Sequence, residues 1–123
     1  MRLGVSVPGA RPDGSPLTGD ALVDSVRRIE GAGFDSAWFF DAIGRGFILP
    51  DPLIGAAVAA AVTTRIEIGT GVLQVPLRHP VELAHRILTV HLISRGRLLL
   101  GVGAGSTRGD FDALGLDFTR RMR

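Results

Sequence analysis

Residues Arg65–Pro80 read RIEIGTGVLQVPLRHP. Ile66, Ile68, Val72 and Leu73 supply the β-branched and apolar side chains of a buried strand, and the run loosens at Gly69-Thr70-Gly71 before two prolines lead into a new helix. Glycine at the C-terminal end of a strand leaves space where a backbone or a ligand can approach.

The pattern recurs along the chain. Other strand-like runs begin at Leu3 (LGVSV), Ser36 (SAWFF) and Leu98 (LLLGVG), so successive starts, counting Ile66, lie 33, 30 and 32 residues apart. One helix-like segment separates each pair. The first spans Gly19–Ala32, with Thr18 as N-cap, Asp20 in the first turn and Gly33 as the stop. It turns Leu22, Val26 and Ile29 inward and leaves Asp24, Arg27, Arg28 and Glu30 to solvent. The second opens at Asp51-Pro52 and is small and apolar all round (IGAAVAAAV), which predicts burial on both sides; the third opens at His79-Pro80 and ends at Arg95-Gly96.

Strand and helix alternating at this spacing predict right-handed βαβ units around a parallel sheet. A period of about 31 residues is that of a (β/α)8 barrel of roughly 250 residues. The fold class expected is α/β, the N-terminal half of a (β/α)8 TIM barrel, with four βα units and parallel strands. The domain expected is a partial barrel over residues 1–123 that stops after the fourth strand and its loop. Four parallel strands cannot close a barrel, so the chain reads as a fragment, a half-barrel that pairs with another chain, or a small open sheet. No switch point marks a doubly wound order.

Composition narrows the function. The content of 46% hydrophobic residues and the mean hydropathy of +0.30 predict a core-forming chain, apolar enough for its size that part of its surface meets a partner. All 14 basic residues are arginine, which explains a pI near 10.9 at a net charge of only +2. They are dispersed, the densest group being Arg120, Arg121 and Arg123, and no aromatic residues interleave with them, which argues against nucleic acid. The absence of cysteine leaves no thiolate metal site, and the longest uncharged helical run, Leu53–Val62, is about half of what a bilayer span requires. The expectation is a cytoplasmic protein without membrane contact.

Each strand-like run ends in rim-type residues: Pro8-Gly9, Asp41, Thr70-Gly71 and Gly103-Ala104-Gly105. In (β/α) folds the ligand site lies at this end of the strands. The blocks GAGFDSAWFFDA, DPLIGAAVAAAVTTRIEIGTGVLQVPLRHPVELAHRILTVHLISRGRLLLGVGAG and DFDALGLDFTRRMR, with their spacing, resemble the luciferase-like monooxygenases. These are (β/α)8 oxidoreductases that use FMN or F420. The resemblance implies that Asp41 faces the cofactor ring, that Gly71-Val72 is a cis peptide in a bulge behind the ring, and that Thr70, Gly103, Gly105 and Ser106 complete the rim. It implies a small-molecule substrate and a homo-oligomer or complementary barrel half. A half-barrel that self-assembles, or that binds flavin without turnover, is the alternative.

Three positions depart from the family pattern, one of them His91, which stands where the family has an aspartate in the last turns of the third helix. Ala42 replaces the histidine that follows the strand-two aspartate in many F420-using members, and Ser106 replaces a proton-donating glutamate of some dehydrogenases. No catalytic side chain is assigned. The run GVGAGSTRG imitates part of a dinucleotide fingerprint but opens no clear helix and lacks the downstream acid. His79, His85 and His91, six residues apart on one helix, are rotated by roughly 240° from one another and cannot converge on a metal. Asp110, Asp112 and Asp117 read as scattered loop carboxylates.

Overall fold

Strand and helix alternate throughout the computed structural model, which describes residues 1–122; Arg123, one of the terminal arginines, lies outside the described residues. The strands are β1 (Gly4–Ser6), β2 (Ser36–Phe39), β3 (Glu67–Gln74) and β4 (Leu98–Gly103). Between them run α1 (Gly19–Gly31), α2 (Pro52–Val62) and α3 (Pro80–Ile93), followed by a short α4 (Arg108–Asp112) and two 3-10 turns, Val75–Leu77 and Phe118–Arg120. All pairings are parallel, in the order β1-β2-β3-β4. A sequential order without reversal is that of a (β/α)8 barrel, so the fold is α/β and corresponds to the N-terminal half of such a barrel.

Local chemistry sets the boundaries. Asp51 caps α2 by accepting from the amides of Leu53 (2.9 Å) and Ile54 (3.1 Å), with Pro52 in the first turn where no amide is needed. Gly33, at φ +86°, turns the chain out of α1. Thr18 and His79 stand at N-cap positions but make no side-chain bond to their helices; the Thr18 hydroxyl instead accepts from Arg11 (2.9 Å).

The core lies on one face of the sheet. Leu22 and Val26 of α1, Leu53, Ala56 and Ala59 of α2, and Leu83 and Val90 of α3 pack on Ala37, Phe39, Ile66, Ile68 and Leu73. The small residues Gly55, Ala56, Ala59 and Ala60 of α2 are buried as expected, whereas Ile54 is left exposed.

The N-terminal ends of the strands are tied by two side chains. Arg97 donates to the carbonyls of Ala60, Thr63, Ile66 and Ser94 and to the Thr63 hydroxyl. Glu30 is not left to solvent: its Oε1 accepts from the amides of Thr64 (3.0 Å), Arg65 (2.7 Å) and Ile66 (3.0 Å) at the entrance to β3. Burial alone would raise the Glu30 pKa, but the amides and Arg65 outweigh it and hold the carboxyl below its usual range. Among the described residues no helix is long and apolar enough to cross a membrane.

Candidate active site at the strand ends

The inner face of the sheet, opposite the helices, is built of small residues with one large side chain across them. Trp38 stands in register with Ser6 and Gly69, and its indole N–H donates to Ser36 Oγ (2.8 Å). A Cβ at Gly69 would lie 2.3 Å from the indole, so glycine is what allows the ring to lie across β3. Toward the rim the β3–β4 register shifts between Thr70 and Leu73, and the Gly71–Val72 peptide is cis.

At the C-terminal ends of the strands lies an open cavity of about 800 Å³. Asp41, Gly71, Val72, Gly105 and Ser106, all expected at the rim, line it. The two remaining rim expectations stand behind it. Thr70 is fully buried, where its hydroxyl donates to the Gly101 carbonyl (2.8 Å) and accepts from the Gly101 amide (3.1 Å). Gly103 makes room for Val72, whose Cγ2 would be 2.6 Å from a Cβ there. A second groove, of about 820 Å³, lies between the β1–α1 loop and α1, but it draws on neither β3 nor β4 and lacks the convergence of strand ends that marks a site in this fold.

The cavity rests on a buried network. The Asp41 carboxylate accepts the Gln74 amide at 2.8 Å and Arg78 Nη2 at 2.9 Å, with a further short contact from Arg78 Nη1. Arg78 also reaches Asp51 at 3.2 Å, joining the rim to the cap of α2. Burial alone would lower the Arg78 pKa, but its bonds to Asp41 and Asp51 outweigh that and raise it, so the guanidinium stays charged. The Gln74 side chain donates to the Asp41 carbonyl (3.0 Å) and to Asp110 Oδ2 (2.9 Å). Arg45 grips Asp110 through Nε (3.2 Å) and Nη2 (2.9 Å). Hydrogen bonds from Arg45, joined by Gln74 and the Ile43 amide, outweigh burial and hold the Asp110 carboxyl below its ordinary pKa.

Asp110 is therefore no scattered loop carboxylate: it is fully buried on α4 and docks that helix against the β2–α2 loop. Sequence reading missed Arg45, Gln74, Arg78 and Asp110 as site residues. Two carried a usable signal. Gln74 is the only side-chain amide in the chain and closes a strand, and Arg78 sits between that strand and the next helix. His79, His85 and His91 are all exposed on or beside α3.

Parallel strands in sequential order, with a cavity at their C-terminal rim over a buried ion-pair network, have the architecture of part of a (β/α) barrel, with the cavity where such barrels carry their sites. The sequence profile of the luciferase-like monooxygenases matches residues 1–123, and the chain belongs to that family. It is 37% identical over 86 residues to a 4-hydroxyprotoasukamycin monooxygenase of Streptomyces nodosus subsp. asukaensis, a match covering 69% of this chain and 23% of the relative. The oxygenating constituent of 3,6-diketocamphane monooxygenase from Pseudomonas putida, solved with FMN, superposes with a TM-score of 0.82 at 29% identity, over 94% of this chain and 32% of that one. The F420-dependent tetrahydromethanopterin reductase of Methanopyrus kandleri superposes with a TM-score of 0.73 at 26% identity, over 95% and 30%. The chain spans about a quarter of the length of the curated relatives it matches. Relatives of this chain thus use FMN or F420.

Proposed function

We propose that this chain forms one wall of the ring site in an FMN- or F420-dependent oxidoreductase acting on a small-molecule substrate. The observation that carries the reading is the convergence of Asp41, Gly71, Val72, Gly105 and Ser106 on one rim cavity. These residues fit a flat ring: Gly71 and Gly105 leave part of the wall bare, Val72, Phe40, Phe47 and Leu49 line it with apolar side chains, and a buried acceptor without a partner, Gln74 Oε1, stands beside it. The bound ring would supply hydride or oxygen chemistry. Val72 and the Gly71 backbone would support its face, and Gly105 and Ser106 would border its edge. Asp41, paired with Arg78 and bonded by the Gln74 backbone amide, would form the fixed polar floor beneath the site.

Phosphate contacts, in this reading, come from later strands of a complete barrel. Titration with FMN and with reduced F420, followed by quenching of Trp38, the only tryptophan, tests it. The protein as its gene encodes it should bind one of the two, and residues 1–123 alone should bind weakly unless a complementary half is added. Failure of both cofactors to bind the encoded protein overturns the ring reading, and tight binding by an isolated monomer of residues 1–123 overturns the division of labour.

A second reading, a half-barrel that assembles without turnover, draws on β4. Leu100 and Val102 share the outer face of β4 with Leu98, yet are 43% and 54% exposed because no helix covers them. Uncovered apolar residues on an outer strand invite association with a complementary half or a second copy. Light scattering decides: a monomer at micromolar concentration refutes assembly.

A further inference from the structure

We propose that Gln74 reads the ligand of the rim cavity, its Oε1 accepting a hydrogen bond from the imide N–H of a flavin-type ring. The orientation of the amide is forced by its surroundings. Nε2 sits between two acceptors, the Asp41 carbonyl at 3.0 Å and Asp110 Oδ2 at 2.9 Å, so both of its hydrogens are used and the oxygen must point the other way. Gln74 is 3% exposed, and Oε1 is the only buried side-chain polar atom among the described residues without a partner. A buried acceptor left unpaired is costly, and one such atom beside a cavity marks a place for a donor.

Gln74 and Gly105 line the same cavity, and a Cβ at Gly105 would stand 2.6 Å from Oε1. The side of Gly105 that carries no side chain therefore faces this oxygen, and any larger residue there would crowd it. The network that fixes the amide is itself rigid, because Asp110 is clamped by Arg45 and Asp41 by Arg78. The wanted ligand group is an N–H donor on the edge of a planar molecule, since the adjoining wall is Gly71 backbone and Val72. Flavin and deazaflavin rings both present one such group, the imide N–H between two carbonyls.

This inference rests on the ring reading above, and the experiment separates the two. The encoded protein is titrated with the ring that binds, FMN or F420, and with its N3-methyl derivative, following Trp38 quenching. Methylation should weaken binding about fivefold, the value of one hydrogen bond. In Gln74→Met the ratio should fall to near one. Equal affinities in the unmodified protein, or a ratio that persists in Gln74→Met, overturn the role of Gln74 and leave the ring reading standing. Binding of neither FMN nor F420 overturns both. A measurement that needs no variant guards against misfolding: with a 15N-labelled ring, the N3 proton should exchange more slowly than in free cofactor, and exchange at the free rate refutes the bond.

Discussion

Arg78→Met should be the most damaging single substitution at the rim, and the structure says why. The Arg78 side chain is 11% exposed and that of Asp41 only 2%, so the variant leaves Asp41 buried with only the Gln74 amide as partner. Removing one partner of a buried ion pair costs about 3–5 kcal/mol. The second contact, to Asp51, adds little, about 0–1 kcal/mol, because Asp51 is 27% exposed and keeps its cap on α2. A total of about 3–5 kcal/mol is a large share of the roughly 5–15 kcal/mol that holds a domain folded. In urea, followed by circular dichroism at pH 7, an m-value of about 2 kcal/mol/M gives a midpoint about 2 M lower. The double variant Arg78→Met/Asp41→Asn should recover part of the loss, because replacing both members of a buried pair is far milder than stranding one. A single-variant cost below about 1 kcal/mol, or a double variant equal to the sum of the singles, would refute the reasoning.

Other outcomes follow from the same geometry. Gly101→Ala should destabilise more than Gly69→Ala by urea midpoint, since the new Cβ would meet the Thr70 carbonyl at 2.2 Å in the first case and the movable Trp38 ring at 2.3 Å in the second. Gly69→Ala should also shift Trp38 emission, which Gly101→Ala should leave in place. Glu30→Gln should cost less than Glu30→Ala in thermal unfolding, because the amide keeps an acceptor for the three β3 amides. Folded Glu30 and Asp110 both titrate below their ordinary values, about 4.3 and 3.9 in an unfolded chain, so their contribution is complete above about pH 5 and lost as pH falls below about 4. Arg45→Leu should flatten that acid decline, and an unchanged slope between pH 5 and 3 would remove Asp110 from the account.

What could be read in advance depends on how far apart the causes lie. The strand starts and the Asp51-Pro52 cap were legible because each is settled by residues a few positions away. The gathering of Asp41, Gly71 and Gly105 was legible because parallel strands bring equivalent ends together. The ion pairs were not: Asp41 meets Arg78 across 37 positions and Arg45 meets Asp110 across 65, and no local pattern encodes those distances. Glu30 misled for the same reason. Helical periodicity placed it away from the core stripe, but the start of β3 comes to it from 34 residues on.

The irregularity in β3 explains how one strand serves both core and site. Ile66, Ile68 and Thr70 alternate onto the helix-packed face, and an unbroken strand would send residues 72 and 74 the same way. The shift between Thr70 and Leu73 inserts one residue relative to β4, so that Leu73 takes the core position and pairs with Val102. Val72 and Gln74 are thereby transferred to the inner face, where Val72 fills the space left by Gly103 and Gln74 pairs in register with that glycine. Without the extra residue the chain's single amide would point into an apolar core, and Asp41 and Asp110 would lose the side chain that joins them. Of the two glycines of GTGV, which first mark this strand as unusual, Gly69 still pairs in regular register and Gly71 lies within the shift, where one residue's change of register turns a core strand into the wall of a site.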